Sequence, residues 1–586
     1  MIRVSLLWLV VSCIVAYSWR NWYVGLCAVI AMVGIIEHPD VPKQIFGIPG
    51  LNPFNLMLGN VIAAWACQRG REGLRFDMPR HIVILLLMFA GVVVISFIRL
   101  SRDPEIPMLY YRASYANIVT DYLINSFKFA IPALLLYDGC RTEERFRLAV
   151  ISIMAVYVLF ALQVAKWMPP TLALDADALE RRSLRVLARG MGFHRVNMSA
   201  MLSGASWALL TLRVLLPRGI RWPLVFGALF IVYAQLMTGG RAGYAACLAV
   251  GLALSLLKWR RYLLGIPVAL ALVMWLAPGV IGRAFEGFTE ESRDTNQVIE
   301  RARERGELQR TAFDNTVDSY TVTAGRSIAW PIIVDKIMEQ PLIGYGRQAM
   351  LHTGLATYIY ETYAEVFPHP HNAYLEQLLD NGIIGAAPIF TFYILLLWYS
   401  MRMFVSETSP TCVAIGGMST AFLVALFVSA IGSQSFYPEE GWMCAWCVMF
   451  LMLRVRVERQ RLLASAGAPA AATAASEPVR APLPALRPAF AGARFSMAAR
   501  PAPVLPQITW QPRKSGAQAP VPGVQPAAAA RQQNGGQAGG STKASAAPAK
   551  PAARFGTVMP FLPKQSIETL GIFGTKVFDR LVWERA

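Results

Sequence analysis

Long apolar segments alternate with short polar ones over roughly the first four fifths of the chain. Segments of roughly 17 to 25 apolar residues match the hydrocarbon core of a bilayer, about 30 Å thick. Clear examples are Ile82 to Ile98, Trp222 to Met237, Ile383 to Tyr399 and Thr411 to Ile431. The pattern predicts an all-α, polytopic membrane protein with about 12 to 13 transmembrane helices.

The first apolar run, Val4 to Ser18, has the length of a signal peptide. No small-residue cleavage site follows it, because Trp19 and Arg20 lead directly into another apolar run. We therefore interpret the run as a retained membrane anchor.

Hydropathy and charge divide the chain into five predicted parts. The third part is the last long loop, and the fourth lies between that loop and a tail rich in Ala, Pro and Gly. In the loop, Asn296 to Phe313 and Ser327 to Met338 have helical patterns, so we expect an ordered helical cap. The parts are N-terminal transmembrane helices 1–166, central transmembrane helices 167–282, the large loop 283–381, C-terminal transmembrane helices 382–458 and the tail 459–586.

The tail is expected to be disordered from about Ala464, because its composition buries too little apolar surface to offset the entropy of ordering. Its last stretch, Ile567 to Trp583, regains large apolar residues. That stretch fits either a short amphipathic docking helix or a frayed terminus.

Composition supports the membrane class, since 55% of the 586 residues are hydrophobic, 16% are charged and the mean hydropathy is +0.42. The net charge of +19 comes with arginine clusters in alternate loops. The positive-inside rule makes those loops cytoplasmic, so their partners are anionic lipid headgroups and not nucleic acid. The clusters are Arg69 to Arg80, Arg141 to Arg147, Arg213 to Arg221, Lys258 to Arg261 and Arg454 to Arg461.

The intervening loops then face outwards, the N-terminus lies outside and the C-terminus inside. The predicted outer loops are Ser101 to Asn117, Pro169 to Arg195, Thr238 to Ala242 and about Arg283 to Pro370. The eight cysteines show neither a disulfide framework nor a zinc pattern, and Cys444 and Cys447 lie within one apolar segment. No metal site is predicted.

A histidine pair precedes one of the apolar segments. Pro370 disfavours helix at His369, and apolar positions from Tyr374 keep a helical period up to Gly382. His371 is therefore expected near a helix N-terminus, where free backbone N–H groups favour an anion. Its imidazole suits a general base or a phosphate partner. A lone histidine here is more often a cap or an interfacial residue.

Arginines recur near the same predicted membrane face. Arg241 lies in the glycine-rich turn Thr238 to Gly243, and Arg326 begins a helical pattern that leads to the turn Pro341 to Gly346. A guanidinium presents several donors in a planar fork and stays charged, which suits pyrophosphate. The alternatives are an interfacial arginine at position 241 and a cap or ion pair at Arg326.

The pattern His-Asn-x-x-Leu-x-x-Leu-x-x-x-Gly-x-x-Gly, from His371 to Gly385, resembles the O-antigen ligase and O-antigen polymerase family of bacterial membrane glycosyltransferases. The Arg241 turn and the Arg326 helix start are similar to that family in order and spacing. The turn Gly192 to Asn197 resembles another family feature but departs from it, because Val196 replaces the usual proline. The resemblance covers most of residues 192–431.

The resemblance implies a glycosyltransferase that needs no cofactor, metal or nucleotide sugar. It implies transfer of a glycan from an undecaprenyl pyrophosphate carrier to a hydroxyl of lipid A core, another glycan or a protein. The expected place is the periplasmic face of the bacterial inner membrane, in O-antigen or exopolysaccharide biosynthesis. The expected catalytic residues are His371, Arg241 and Arg326. The expected substrate-binding residues are Asn372, Tyr374, His369, His194, Arg195 and Asn197.

Two kinds of alternative stay open at this point. A repeat-unit polymerase or a protein O-oligosaccharyltransferase uses the same donor, and one sequence does not separate these from a ligase. A polysaccharide transporter or flippase also has many spans, but the chain shows no ionisable series in mid-membrane and no matching pair of broken helices.

Overall fold

The computed structural model describes residues 2–285, 326–432 and 436–467, apart from positions 37, 46, 49 and 364. Within these ranges the chain is helical, and its only β-type pairing is an isolated bridge between Ile45 and Ile48. The predicted all-α class is confirmed. The predicted helix Asn296 to Phe313, most of the predicted tail and the stretch Ile567 to Trp583 lie outside the described residues.

Several of the N-terminal helices begin at polar caps or at proline. Asn52 accepts a hydrogen bond from the Asn55 N–H, and Thr142 accepts one from the Arg145 N–H. A π-helical stretch, Thr120–Ile124, joins two short helices into one longer rod. The helices are α1 (Ile2–Ser18), α2 (Trp22–Ile36), α3 (Pro53–Arg69), α4 (Arg80–Leu100), α5 (Glu105–Tyr111), α6 (Tyr115–Val119), α7 (Asn125–Lys128), α8 (Ile131–Gly139) and α9 (Glu143–Trp167).

The central part includes an amphipathic helix that is not among the segments apolar enough to span a membrane. This helix begins after the Asp175 cap and ends at Gly192, whose φ of 79° is the left-handed conformation that terminates helices. Four 3₁₀ turns connect the region: Pro170–Leu174, Arg213–Leu215, Arg218–Ile220 and Arg260–Leu264. The helices are α10 (Ala176–Met191), α11 (Arg195–Leu212), α12 (Trp222–Met237), α13 (Arg241–Leu257), α14 (Gly265–Leu276) and α15 (Pro278–Ala284).

The C-terminal part starts with short helices and ends with three long ones. The predicted helical piece Ser327 to Met338 is confirmed by the first helix of this part. The helices are α16 (Arg326–Glu339), α17 (Ala349–His352), α18 (Leu355–Tyr363), α19 (Ala373–Ser406), α20 (Pro410–Ser429) and α21 (Met443–Gly467), with the 3₁₀ turn Glu440–Trp442 before α21. Helix α21 continues past residue 459, so the first residues of the predicted tail are helical.

Among the described residues, seven helical segments are long and apolar enough to cross a membrane. A further pair, Arg260–Leu276 and Pro278–Ala284, is bent by 110°, which fits either a broken span or a re-entrant loop, and it raises the number to eight if it is one span. The predicted total of about thirteen is reached only if α1, α2, α3, α13 and α21 cross as well. The seven segments are Arg80–Leu100, Tyr115–Gly139, Glu143–Trp167, Arg195–Leu215, Arg218–Met237, Ala373–Ser406 and Pro410–Ser429.

Helices α11 and α20 form the centre of the bundle. Their apolar windows are 72% and 78% buried by protein, whereas that of α4 is 28% buried and remains available to lipid. Small residues permit α11 and α20 to approach each other closely. A Cβ on Gly204 would lie 2.9 Å from Phe422, and one on Gly417 would lie 2.7 Å from Thr211. The polar segments described next lie at the ends of these central helices.

Candidate active site

His371 lies directly before the N-terminus of α19, as the sequence predicts. The Asn372 side chain accepts hydrogen bonds from the backbone N–H groups of Tyr374 (3.0 Å) and Leu375 (3.2 Å), so the helix begins at Ala373. His371 itself has a φ of 49°. This value lies in the left-handed region, which residues other than glycine seldom adopt. Asn372 thus fixes where the helix starts, and His371 is held outside the helix.

Positive and aromatic groups surround the His371 ring. The His369 ring lies 4.0 Å from it, centroid to centroid, and the Phe367 ring lies 5.7 Å from it. Desolvation lowers the pKa of His371 well below its usual value, and repulsion of its protonated form by His369, Arg326 and His194 in their charged forms lowers it further. The imidazole is therefore neutral at pH 7, and its nitrogen lone pair can accept a hydrogen bond from a hydroxyl group. Because the lowered pKa also makes it a weak base, it takes the proton only as the hydroxyl oxygen forms its new bond and becomes acidic.

Arg326 reaches the same region from the start of α16. Its Nη2 donates to the backbone carbonyl of Gly432 (3.2 Å), just after α20. The backbone N–H of Ala373 donates to the carbonyl of Ala430 (2.7 Å). The short segment 430–432, just after α20, therefore binds both Arg326 and the start of α19. It fixes the two relative to each other.

Trp330 adds a second connection between α16 and the histidine segment. Its indole Nε1 donates to the carbonyl of Pro370 (3.0 Å), the residue between the two histidines. This bond holds the histidine pair against the helix that begins at Arg326.

The Arg241 turn packs tightly against α11. Gly239 has a φ of 70°, and a Cβ on Gly243 would lie 2.0 Å from the Ser199 Oγ. The Ser199 hydroxyl donates to the carbonyl of Gly240 (3.1 Å). Glycine is therefore needed at these positions, and the turn places Arg241 in the first turn of α13.

Ala242 connects this turn to the histidine site. A Cβ on Gly432 would lie 3.2 Å from the Cβ of Ala242. Gly432 also accepts the hydrogen bond from Arg326. The structure thus brings the turn that carries Arg241, the start of α16 and the segment beside His371 together at one end of the bundle.

His194 and Arg195 begin α11 beside these residues. The Nδ1 of His194 caps the helix by accepting from the Val196 N–H (3.4 Å), and Asn197 is half-buried in the first turn. Burial, followed by the charge of Arg195, lowers the pKa of His194 to about 4. His194 is therefore another neutral histidine at pH 7, close enough to affect the pKa of His371.

A cluster of three arginines around one carboxylate lies beside the Arg241 turn. Glu180 accepts a hydrogen bond from Arg195 Nη2 (2.7 Å) and one from Arg283 Nη2. Arg241 interacts electrostatically with Glu180 and Arg195, and Arg283 interacts with all three. We call Glu180, Arg195, Arg241 and Arg283 the arginine cluster.

Sequence reasoning missed Glu180 and Arg283. Glu180 borders the buried face of the amphipathic helix α10, which was a usable signal because an acid at that edge needs a partner. Arg283 carries no such signal, since it lies 103 residues from Glu180 in the chain.

The turn Pro341 to Gly346 docks the loop onto a break in α19. The backbone N–H of Tyr345 donates to the carbonyl of Leu379 (2.8 Å), and the N–H of Ile383 donates to the carbonyl of Pro341 (2.8 Å). This turn holds the helix whose start carries the histidine motif.

Gly382 makes this docking possible. Its φ of 60° and ψ of −172° interrupt the helix, and a Cβ there would lie 2.3 Å from the backbone carbonyl carbon of Leu342. The first glycine of the His-to-Gly motif is therefore explained by backbone packing.

A second group of buried ionisable side chains lies where the loop meets α19. Glu376 and Asp380 are 3% and 2% exposed on successive turns, and the Arg347 guanidinium lies 3.2 Å above the Tyr437 ring. The N–H of Ala349 donates to Asp380 Oδ1 (3.2 Å). This group was also missed, although paired acids on a helix that enters the membrane are a recognisable signal.

Tyr374 has a structural contact, since its hydroxyl donates to the carbonyl of Phe427 (2.9 Å). The amide oxygen of Asn372 is likewise occupied by capping.

The site as a whole offers neutral imidazoles next to several guanidinium groups, which suits acceptance of a hydroxyl proton and neutralisation of an anionic leaving group.

Residues 226–390 match the family model described as O-antigen ligase. The match confirms the resemblance predicted from the His371 motif. A search of curated proteins gives no significant match. Glu180, His194, Arg195 and Asn197 precede the matched region, which contains Arg241, Arg283, Arg326 and His371.

Proposed function

We propose that this multi-pass membrane protein, which contains an O-antigen ligase family domain, transfers a glycan from a lipid pyrophosphate carrier to a hydroxyl acceptor. The carrier is undecaprenyl pyrophosphate, and the site faces the periplasm at the bacterial inner membrane. The acceptor is lipid A core, another glycan or a protein hydroxyl. The product belongs to a surface polysaccharide such as O-antigen or exopolysaccharide.

The observation that carries this proposal is the convergence of three separate segments. Residues 130 positions apart in sequence, Arg241 and His371, lie on segments that both contact the short stretch 430–432. Arg326 binds that stretch through Gly432. Cations beside a neutral histidine match the needs of a reaction that expels an anion and deprotonates a hydroxyl.

The residues have separate roles in the proposed reaction. The bond between the anomeric carbon of the glycan and the pyrophosphate oxygen breaks, and its electron pair leaves with the pyrophosphate. Arg241 and Arg326 neutralise that developing charge. The acceptor hydroxyl oxygen bonds to the anomeric carbon, and its proton passes to His371, which is neutral because its pKa is lowered.

The reaction is proposed to need no metal, since pyrophosphate is already a good leaving group and guanidinium groups supply the positive charge. Holding donor and acceptor together supplies the rest of the acceleration. His369, His194, Arg195, Asn197, Asn372 and Tyr374 are proposed to line the substrate site.

A deletion strain tests the proposed function. Loss of all long polymer is expected for a polymerase, whereas carrier-linked polymer that is made but never attached is expected for a ligase or a protein glycosylating enzyme. Restoration by the wild-type chain and by His38→Ala, but not by equally expressed His371→Ala, would support the role of His371. A deletion strain with unchanged surface glycans would contradict the proposal.

A further inference from the structure

Glu180 lies at the centre of the arginine cluster. One carboxylate oxygen, Oε1, accepts hydrogen bonds from both Arg195 and Arg283. Arg241 is also close enough to interact with this carboxylate. The positive groups lower the pKa of Glu180 although burial raises it, so the carboxylate is ionised at pH 7. Glu180 is thus the negatively charged member of a cluster that otherwise consists of guanidinium groups.

The arginines are more deeply buried than the acid that binds them. The side chains of Arg195 and Arg283 are 10% and 6% exposed, whereas that of Glu180 is 26% exposed. The Nε and Nη1 atoms of Arg195 are buried and have no hydrogen-bond partner within the described ranges. Buried guanidinium donors without acceptors are costly, so the cluster favours an additional anion.

Glu180 is the more exposed side chain in each of its ion pairs with Arg195 and Arg283. A carboxylate and a phosphate present similar acceptor oxygens to guanidinium groups. The Arg241 turn is adjacent, since a Cβ on Gly239 would lie 3.7 Å from Arg195 Nη1. A phosphate in place of the Glu180 carboxylate would therefore contact Arg195 and Arg283 while remaining beside Arg241.

We propose that Glu180 is an internal substitute for a donor phosphate, which binds Arg195 and Arg283 in the free protein and releases them to the pyrophosphate of the lipid carrier. The inference rests on the proposed function for the identity of the ligand. It adds Arg283 to the phosphate-binding residues and makes Glu180 a competitor of the substrate. Because Glu180 carries a negative charge and occupies donors of Arg195 and Arg283, its removal strengthens anion binding.

The test is binding of inorganic pyrophosphate to the full chain in phosphatidylcholine nanodiscs, measured by isothermal titration calorimetry. Glu180→Gln keeps the size of the side chain and removes its charge, so the dissociation constant should fall at least about threefold. Arg283→Gln should raise it about tenfold or more. Asp177→Asn, which removes an exposed carboxylate from the same helix, should leave it within about twofold.

Several outcomes would overturn the inference. Weaker binding by Glu180→Gln would mean that Glu180 only positions the arginines, and equal binding by all variants would mean that no anion site exists there. Glu180→Ala, judged by the same criterion, covers the case in which Glu180→Gln does not fold. Loss of pyrophosphate binding when phosphatidylglycerol is added to the nanodiscs would identify a lipid headgroup as the ligand.

Glycan transfer by the wild type is measured separately, so the two proposals fail in different ways. Pyrophosphate binding that follows the expected order without any transfer would remove the proposed reaction and leave the anion site. Transfer with a Glu180→Gln variant that binds pyrophosphate no better than the wild type would leave the reaction and remove the substitute role.

Discussion

At the scale of single residues, the site depends on properties that charge alone does not provide. Arg241 and Arg326 offer planar groups of donors, and a lysine in either position would keep the charge but lose that geometry. His371 and His194 are neutral because burial and neighbouring cations lower their pKa values. These two properties lead to separate predictions.

We expect Arg241→Lys to reduce glycan transfer about a hundredfold or more. Loss of a pre-organised charge partner for a leaving group typically costs about 3 kcal/mol in the transition state. The measurement is the initial rate with a lipid-linked donor. Arg218→Lys, at an exposed position remote from the site, is the matched control and should retain its rate. Near wild-type transfer by Arg241→Lys would show that charge alone suffices.

His194 predicts a dependence of stability on pH. An unfolded histidine has a pKa of about 6.5, whereas that of folded His194 is about 4. Between these values the unfolded chain binds more protons, so stability that is present above pH 6.5 is lost as the pH falls. His194→Asn keeps an N-cap acceptor without a titrating ring. Its melting temperature should fall less than that of the wild type between pH 6.5 and 4.5, and an equal fall would contradict the assignment.

At the scale of elements, glycines and caps decide how segments meet. The Asn372 cap separates His371 from α19, and Gly382 opens that helix to the turn Pro341 to Gly346. The loop is therefore attached to α19 by backbone hydrogen bonds on either side of the break. Substitutions at the break should therefore destabilise the attachment of the loop to α19 more than they destabilise the helical bundle.

Gly382→Ala should destabilise the attachment by more than about 1 kcal/mol, because an alanine must adopt a φ of 60° and its Cβ would meet backbone atoms of Leu342. The expected result is a lower melting temperature and faster proteolysis between residues 340 and 370. Gly59→Ala lies in α3 with open space around its added Cβ, so it should be neutral or stabilising. Equal stability of the two variants would contradict the packing described for Gly382.

The sequence predicted those features that depend on neighbouring residues. Pro370 and the helical period after it place His371 before a helix, and the glycines at 239, 240 and 243 indicate a tight turn around Arg241. It did not predict the pairing of Glu180 with Arg283 or of Arg347 with Tyr437, since these contacts join segments far apart in the chain. Only the packed bundle brings such residues together.

At the scale of the whole molecule, the proposed reaction requires one particular orientation of the chain in the membrane. The arginine-rich loops between apolar segments predict a cytoplasmic side, and His371, Arg326 and the Arg241 turn then face the periplasm. We propose that the lipid-linked donor enters this site sideways from the bilayer.

Single cysteines test this orientation in a background that lacks the native eight. Gln340→Cys, at the exposed end of α16, should react with a membrane-impermeant maleimide in cells whose outer membrane is permeabilised. Gly219→Cys, exposed in an arginine-rich loop, should react only after the inner membrane is disrupted. Labelling in the opposite order would place the site on the cytoplasmic side.

The most direct measurement of the central claim is glycan transfer by purified chain in nanodiscs, with lipid-linked donor, a hydroxyl acceptor and a metal chelator present. We predict transfer by the wild type, and none by His371→Ala despite unchanged donor binding. His371→Gln should be nearly as inactive, since an amide can hold a hydroxyl but is a very poor base. Near-normal turnover by His371→Ala, or loss of wild-type turnover caused by the chelator, would contradict the proposed mechanism.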